Sequence, residues 1–426
     1  MARVMEKLYQ SSSSIRLSTL VLFATIAMRV QAQIPAVLLL SGDSAWRAKS
    51  SMCLAGGDAG IASNGVDVEF LKKSLLGGHL KTEHLKDLAS DMPQRTRVGY
   101  VANVQVELLN FRDTLFGNSN LGMRAALSTN YAGYVGFRPN LFRTVYLGNA
   151  DYDDTAIGLG RVNAQNQFWQ KFGFGLFNKK TLSGFTLSLV EGQSFQSLQL
   201  SQAKLYTSSM ADSLSLSIAG NYTRSDTARS GWANGSGLGA CLDFDYNVLL
   251  PDGSGLASLS VRNLGFVVWN EQSEQFTFDE TIRWNGVNVS DWVSGLTDSI
   301  SLPQYVDTLS RNRRETSFMK PLPASFHFRY LKKWKRNHYW ETGTVFMPNR
   351  AAVPLVYAGM MHAITPRLWV AERLSYGGYG GLALGVEIQW LSKSSWFVKA
   401  GSSQLEGWLL PAAGGRNLFV NLGKNF

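Results

Sequence analysis

Cysteine and proline are scarce in this sequence. Two cysteines and 11 prolines occur among 426 residues. Two cysteines are too few for a disulfide-stapled scaffold. We expect both to be free thiols, because nothing in the sequence places Cys53 beside Cys241. No proline- or serine-rich linker divides the chain, so we expect one large cooperative unit rather than several soluble domains.

Motifs that carry chemistry are also missing. There is no G-x-S-x-G, H-E-x-x-H, Walker loop or C-x-x-C motif, and the five histidines are scattered. We therefore predict that the protein is not an enzyme and that it holds no metal and no cofactor. We expect no nucleic-acid partner, because no cluster of Lys and Arg is interleaved with aromatic residues on one element. Beyond residue 33, no apolar run is long enough for a membrane-spanning helix.

The first residues of the chain form a segment of a different kind. Residues 1–32 combine a basic start, which includes Arg3 and Lys7, with the apolar run LSTLVLFATIAM and the small residue Ala32 before Gln33. These features are typical of a secretory signal peptide, so we predict cleavage near Ala32. Cleavage there would remove four basic residues and one acidic residue, which lowers the formal net charge from +10 to +7.

The rest of the sequence alternates apolar and polar residues with a period of two. Runs such as RVGYVANVQVELL, SLSLSIAGNYT and GLALGVEIQW have one apolar face and one face of Gly, Ser, Asn and charged residues. Each run has about 9 to 13 residues, the length of a tilted strand that crosses a bilayer. Aromatic residues lie at the run ends, as in the interfacial girdles of membrane barrels. A secreted all-β protein is the alternative.

These patterns predict an all-β fold, a transmembrane antiparallel β-barrel of about 14 strands with a short helical N-terminal segment. The predicted divisions are a signal peptide over 1–32, a periplasmic or lumen segment over 33–96, and the barrel over 97–426 with a long loop over 271–321. Helical spacing over 66–92 predicts two short helices that either cover the periplasmic mouth or lie outside the barrel.

The strand count depends on how the runs are divided. We predict separate strands over 183–191 and 195–207, and we include SLSLSIAGNYT in the barrel wall. The stretch TAIGLGR, residues 155–161, is the candidate additional strand, which leaves 16 strands as the alternative count. Glu372 falls on the apolar face of LWVAERLSY, so we expect a bulge or another register there.

The chain ends on the alternating run RNLFVNLGKNF. Leu422 and Phe426 lie on its apolar face, and Gly423 lies on its polar face. In a closed barrel this last strand pairs with the first, which leaves no exposed edge. A terminal aromatic on an alternating strand resembles the signal that bacterial barrel-assembly machinery reads. Phe426, Leu422 and Gly423 are therefore the predicted assembly signal.

Three charged residues are the candidates for the lumen. Glu107 and Arg124 face each other across the first hairpin if its turn is centred near residues 115 and 116. Asp243 lies on the polar face of GLGACLDFDY. Such residues either pair with one another as structural filler or form part of a constriction.

Several stretches resemble an outer-membrane barrel family of Bacteroidetes that has no assigned function. They are VYLGNADYDD (145–154), FTLSLVEGQSFQSLQL (185–200), SVRNLGFVVWN (260–270), FTFDETIRWNGVNVSDW (276–292) and LPASFHFRYLKKW (322–334). That family is distantly similar to long-chain fatty-acid transporters and to the shuttle barrel of type IX secretion. The resemblance implies 14 strands, an N-terminal segment in the lumen and a location in the Gram-negative cell outer membrane. It implies no substrate and no site residue.

Two functions are compatible with these observations. One is a channel or transporter for a small molecule, with a hydrophobic molecule as one option; the other is a non-transporting scaffold that docks a secretion or envelope-assembly partner. An open lumen would favour the channel, and a filled lumen would favour the scaffold. The expected partners are outer-membrane lipid, lipopolysaccharide, the barrel-assembly machinery and an envelope protein.

Overall fold

The computed structural model describes residues 36–40, 50–284 and 312–426, apart from positions 113, 150, 151, 153, 211, 212, 230, 232 and 233. The predicted signal peptide lies outside these residues. The helices are α1 (Ala36–Leu40), α2 (Val68–Leu76), α3 (Thr82–Asp91), α4 (Pro139–Tyr146) and α5 (Glu406–Leu409). Within the described part of the chain, no helix combines the length and the apolar character that a membrane span requires.

Nineteen strands are present among the described residues. They are β1 (Ser51–Ser63), β2 (Thr96–Asn110), β3 (Leu121–Phe137), β4 (Thr155–Gly158), β5 (Val162–Asn178), β6 (Gly184–Thr207), β7 (Leu214–Arg224), β8 (Gly237–Leu249), β9 (Gly255–Trp269), β10 (Glu274–Trp284), β11 (Arg313–Glu315), β12 (Phe318–Pro321), β13 (Ser325–Lys335), β14 (His338–Phe346), β15 (Val353–Thr365), β16 (Leu368–Gly378), β17 (Leu382–Leu391), β18 (Trp396–Ser402) and β19 (Gly415–Asn425).

Fourteen of these strands form a closed antiparallel barrel wall. Their order around the wall is β1, β2, β3, β5, β6, β8, β9, β13, β14, β15, β16, β17, β18 and β19. Strand β19 pairs with β1, with Met52 opposite Asn425 and Ala62 opposite Gly415. This pairing closes the wall, as predicted for the last strand. The predicted all-β barrel of 14 strands is confirmed, and the alternative of 16 strands is wrong.

Side chains alternate across the wall between an outer and an inner face. On β2 and β6, the outward Val104 and Leu187 are 64% and 61% exposed. On β19, Leu422 and Phe426 point outward and are exposed, whereas Gly423 is buried on the inner face. An exposed apolar band of this kind fits a hydrocarbon environment. The sequence assigned these faces correctly.

The two ends of the barrel differ in their connections. We call the end that holds the hairpin turns after β2, β5, β8, β13, β15 and β17 the short-turn end, and Ser50 and Phe426 lie on this side. We call the other end the long-loop end. Helices α2, α3 and α4 pack together there around Phe70, Leu85 and Phe142. The long insert after β9 also belongs to this end, although its residues 285–311 lie outside the described part.

A five-stranded sheet extends from the wall at the long-loop end. The upper half of β6 runs beyond the wall and pairs with β4 on one side and β7 on the other. Strand β10 then pairs with β7, and β11 pairs with β10. We call this sheet the extension. It packs one face around Leu159, Ala203 and Leu205.

Several predicted boundaries are wrong. The wall starts at Ser51 rather than at residue 97, so the helical segment over 66–92 follows a wall strand and lies at the long-loop end. Sequence reasoning missed β1 because the strand is rich in glycine and alanine instead of bulky apolar residues. Close packing explains this composition, because a Cβ on Gly56 would lie only 2.0 Å from the Asn421 side chain of β19.

The division of the central strands is also corrected. The predicted strands over 183–191 and 195–207 are one strand, β6, and the run SLSLSIAGNYT belongs to β7 in the extension. The candidate sixteenth strand over 155–161 contains β4, which is likewise part of the extension. Fifteen runs in the sequence have the pattern of a strand; two of them merge into β6 and one is β7, and the missed strand β1 brings the wall to 14.

Strand β16 keeps a regular register although Glu372, a charged residue, lies on its outward apolar face. The register of Glu372 with β15 and β17 is regular, and its side chain points outward with 65% of its surface exposed. The expected bulge at this position is absent from the described strand. A contact of 3.3 Å joins Glu372 Oε1 to His362 Nε2, and His362 Nδ1 lies 2.7 Å from His338 Nδ1.

Arginine substitutions on the two faces of β2 should distinguish the lipid-facing side of the strand from its lumen-facing side. Val104→Arg is expected to lower the free energy of unfolding by about 2–4 kcal/mol, because a charged side chain would face hydrocarbon. Gln105→Arg is the matched control, since the neighbouring side chain faces the polar lumen. Urea unfolding in lipid vesicles, followed by heat-modifiable gel mobility, gives both values. Equal losses for the two variants would contradict the face assignment.

The barrel lumen as the candidate functional site

The lumen is filled by three layers of side chains. An apolar layer lies at the short-turn end, a belt of charged residues lies above it, and a second apolar layer lies towards the long-loop end. The layers follow from the inward positions of successive strand segments, because every second residue of a wall strand points inward.

The apolar layer at the short-turn end encloses helix α1. Leu38 and Leu39 are 2% and 7% exposed, and they belong to one cluster with inward wall residues. We call the following wall residues the apolar chamber. They are Met52, Leu109, Phe111, Phe177, Leu182, Leu256, Leu331, Tyr339, Met361, Trp369, Ala371, Leu391 and Phe397. The expected lumen segment before the barrel is therefore represented by a helix of five apolar residues, AVLLL.

The charged belt consists of two ion clusters. The first cluster lies on β2, β3, β5, β8 and β9 and contains Glu107, Arg124, Lys171, Asp243, Asp245 and Arg262. The second cluster lies on β13, β14, β16, β17 and β18 and contains Arg329, Glu341, Arg373, Glu387 and Lys399. Together the clusters span most of the wall.

Arg124 is the centre of the first cluster. Its Nε lies 2.7 Å from Glu107 Oε1, and its Nη1 donates to Asp245 Oδ2 at 3.0 Å. Asp245 is paired a second time, because Arg262 Nη2 donates to its Oδ1 at 2.5 Å. Lys171 donates to Asp243 Oδ2 at 2.6 Å. Three cations thus neutralise three carboxylates, as buried charges require.

The second cluster is the more deeply buried. Arg329, Glu341 and Glu387 are each 1% exposed or less. Glu341 accepts from Arg373 Nε at 3.0 Å, and its other oxygen lies 2.7 Å from Arg329 Nε. Glu387 accepts from Arg373 Nη1 at 2.9 Å and lies 3.5 Å from Lys399 Nζ. Three cations and two carboxylates leave this cluster with one excess positive charge.

The predicted lumen residues are all found in the first cluster. Glu107 and Arg124 are diagonal neighbours rather than direct partners, because Glu107 lies opposite Ala126 and Arg124 lies opposite Leu109. The turn is therefore shifted from its predicted centre, but the side chains are long enough to meet. Asp243 lines the same cavity as these two residues and pairs with Lys171. Cys241 is buried on the same inner face, and both cysteines are free.

Sequence reasoning missed most of the belt. The members it did not single out as lumen candidates are Lys171, Asp245, Arg262, Arg329, Glu341, Arg373, Glu387 and Lys399, although Asp245 and Glu387 lie on strand faces that it assigned as polar. A usable signal was present, since several of these residues stand between outward apolar neighbours, such as Arg329 between Phe328 and Tyr330. Their mutual contacts join strands that are distant in sequence, and no local pattern reports such contacts.

A glycine-rich loop closes the upper layer. Residues 377–381, at the end of β16 and in the loop before β17, read Gly-Gly-Tyr-Gly-Gly, and Tyr379 is 5% exposed. The Tyr379 ring lies against Gly99 of β2, where an added Cβ would be 2.2 Å from the ring. Arg97 Nε donates to the Tyr379 carbonyl at 3.1 Å, and Asn349 Nδ2 donates to its hydroxyl at 2.8 Å. The loop thus folds inward over the lumen.

A cleft remains beside this loop. It is narrow and partly open to solvent, and most of its lining is apolar. Val101, Val345, Leu355 and Ala383 contribute wall side chains, and Ser403 and Gln404 add polar groups at one edge. An apolar molecule would find its first enclosed surface here. No cluster of three or more metal-ligating side chains occurs among the described residues.

Comparisons with solved structures give similarities at low identity. The toluene transporter TodX from P. putida is 10% identical, with 92% of each chain covered and a TM-score of 0.37. A FadL homologue from Pseudomonas aeruginosa is 10% identical, with 89% of this chain and 90% of that chain covered and a TM-score of 0.35. The translocator domain of autotransporter NalP from Neisseria meningitidis is 9% identical, with 89% of each chain covered and a TM-score of 0.29. At these values the likenesses say nothing about a ligand of this chain.

A family model described as a family of unknown function (DUF5723) matches residues 47–386. No curated protein matches the chain. The fold is a closed antiparallel β-barrel, and the function has to be argued from the lumen.

Proposed function

Because the chain belongs to this family of unknown function, its activity must be inferred from its own residues, and we propose that the barrel is a gated channel for a small hydrophobic molecule. The protein would lie in the cell outer membrane with its short-turn end in the periplasm, as in other single-chain barrels with short periplasmic turns.

The observation that carries this proposal is the occupant of the apolar chamber. Helix α1 consists of apolar residues, and Leu38 and Leu39 are enclosed by aromatic and aliphatic wall side chains. Two leucines present the same kind of surface as a small hydrophobic ligand, and burial of such surface is favourable for either occupant, at roughly 25 cal/mol per Å². A molecule that enters the chamber can therefore compete with α1 for the same wall.

The belt gives the channel its selectivity. Its charges contact one another within the wall, so an ion or a polar solute that sheds its water there finds few free partners to replace the lost hydrogen bonds. The upper cleft and the lower chamber are both apolar, and they lie on opposite sides of the belt. We infer that passage between them requires movement of Tyr379 and of α1, which makes the described arrangement the closed state.

Two aspartates in α1 should open the gate. Leu38→Asp/Leu39→Asp places two carboxylates in an apolar chamber, which is unfavourable enough to expel the helix. We expect cells that produce this variant to take up the hydrophobic dye N-phenylnaphthylamine several times faster than cells that produce the unaltered barrel. Exclusion of a polar β-lactam should be retained, because the belt is untouched.

Leu75→Asp/Leu76→Asp is the matched control. These two leucines are exposed at the end of α2, so the same chemical change there should leave uptake unaltered. Heat-modifiable gel mobility verifies that each variant is folded. Folded Leu38→Asp/Leu39→Asp protein with no faster dye uptake than cells without the barrel would contradict the channel.

A non-transporting scaffold is the second candidate. The packed lumen favours it, because a wall braced by two ion clusters needs no passage to be stable. The extension favours it as well, since β7 and β10 offer a surface beyond the membrane. Under this alternative, deletion of the extension would abolish a partner interaction while dye uptake stayed at background with or without α1.

A further inference from the structure

Basic side chains collect at the short-turn end of the barrel. We call the following residues the basic rim: Arg112, Lys179, Lys180, Lys332, Lys333, Lys335, Arg336, Arg367, Lys393 and Lys424. Among the described residues of these turns there is one acidic residue, Asp252. The formal charge of the described rim is therefore strongly positive.

Among the described residues, the long-loop end has no comparable excess. Helices α2 and α3 carry both acidic and basic residues, and the contact between Lys73 Nζ and Glu69 Oε1 at 2.6 Å is one of several pairs there. Arg224 and Arg313 both contact Glu274 in the extension. The asymmetry between the two ends means that the rim is a specific feature and not a reflection of overall composition.

Part of the rim is placed at the level of exposed aromatic rings on the outer face. Lys424 Nζ lies 5.0 Å from the centroid of the Trp396 ring and 5.2 Å from that of Phe426. Lys335 Nζ lies 4.7 Å from the centroid of the Trp334 ring. Trp396 and Trp334 are 43% and 59% exposed.

The β13–β14 hairpin repeats this combination. Lys332 is opposite Trp340 in the register of the two strands, and both side chains are exposed. The turn that follows adds Arg336, which is exposed beside Lys335. Rings of this kind mark the boundary between hydrocarbon and headgroups, and long basic side chains at that depth extend to the headgroup phosphates.

We propose that the basic rim binds anionic phospholipid, with Lys332, Lys335 and Lys424 contacting the headgroup phosphates of the leaflet at the short-turn end. The remaining rim residues in the turns attract the same negatively charged surface over a longer range. This lipid preference depends on the wall and its girdle, so it holds whether the lumen conducts or not.

The preference can be measured with the tryptophans already present in the girdle. The full chain is reconstituted into phosphatidylcholine vesicles that contain phosphatidylglycerol, with bromine placed on the acyl chains of one lipid or the other. Stronger quenching by the brominated phosphatidylglycerol, beyond its share of the bilayer, reports its enrichment around the barrel. We expect such enrichment, and we expect it to weaken at high salt.

Removal of the three proposed contacts should abolish most of the enrichment. Lys332→Gln/Lys335→Gln/Lys424→Gln keeps the side chains polar and removes three charges, each of which contributes roughly fivefold near an anionic surface. The matched control is Lys72→Gln/Lys81→Gln/Lys86→Gln, which removes three exposed charges from α2, α3 and the segment between them. The control should keep the enrichment.

Competition with inorganic phosphate distinguishes a site for lipid headgroups from a site for free phosphate. If millimolar phosphate abolishes the enrichment while sulfate at the same ionic strength does not, the rim binds free phosphate and the lipid proposal is wrong. Equal losses in the two triple variants, in protein shown to be folded by heat-modifiable mobility, would also overturn it. Absence of any phosphatidylglycerol enrichment around the unaltered protein would do the same.

Discussion

Replacing Glu387 with leucine is expected to lower the free energy of unfolding by about 3–5 kcal/mol. The carboxylate is fully buried, and it contacts Arg373 at 2.9 Å and Lys399 at 3.5 Å. Its removal leaves two cations without this partner in a cluster that already has an excess of positive charge. Urea unfolding in lipid vesicles, followed by tryptophan emission and gel mobility, gives the value.

Glu372→Leu is the matched control, and its expected effect has the opposite sign. The Glu372 side chain points outward from β16, and its ion contact is with His362 at 3.3 Å. A carboxylate on the lipid face is unfavourable, so its replacement by leucine should leave the barrel as stable or make it more stable. Similar losses for Glu387→Leu and Glu372→Leu would contradict the buried belt.

A second variant of the Glu387 site tests the cause of the loss. Glu387→Leu/Lys399→Leu removes one of the unpaired cations together with the carboxylate. We expect the double variant to recover part of the stability lost in Glu387→Leu, because unpaired buried charge and not lost volume accounts for the cost. A further additive loss would point to packing instead.

Phe426→Asp is expected to reduce the amount of assembled barrel severalfold. Phe426 is exposed on the outer face, and its amide donates to the Ser51 carbonyl at 2.8 Å, next to the seam between β19 and β1. A charged side chain removes the terminal aromatic that resembles an assembly signal and places a carboxylate at the girdle. Immunoblots of unheated outer-membrane fractions measure the folded protein.

The Trp396→Asp variant distinguishes an assembly signal at Phe426 from a general role of aromatic rings as interfacial anchors. Trp396 lies on the neighbouring strand at the same end, is similarly exposed, and shares Lys424 with Phe426. If position 426 acts as a signal, Trp396→Asp should assemble far better than Phe426→Asp. Equal defects would mean that both rings serve only as interfacial anchors, and normal levels of Phe426→Asp would refute the predicted signal.

The sequence predicted the barrel because one apolar face repeats in almost every wall strand. The pattern fails in β1, because the Asn421 side chain leaves no room there for bulky apolar residues. It misleads in β7, which is a β-strand but pairs outside the wall. Alternation reports that one face is buried or lipid-exposed; it does not report which sheet a strand joins. The extension could therefore not be separated from the wall without the pairing of β6.

The lumen residues were predicted only where the partners are close in sequence. Glu107 and Arg124 belong to one hairpin, so their contact follows from hairpin geometry even with a shifted turn. Arg124 and Asp245 are 121 residues apart, and their contact depends on the curvature and closure of the whole wall. The inward folding of Tyr379 likewise depends on a strand that is distant in sequence, because Gly99 of β2 provides the space.

The seam between β1 and β19 has a consequence for how the barrel forms. Ser50 and Phe426 are hydrogen-bonded although 376 residues separate them, and bringing such distant ends together costs about 5 kcal/mol of chain entropy before any pairing energy is gained. Neighbouring hairpins can form early, but the wall cannot become a cylinder until the last 11 residues are available. Folding should consequently show one late, slow phase with high contact order, during which both edges of an open sheet are exposed together.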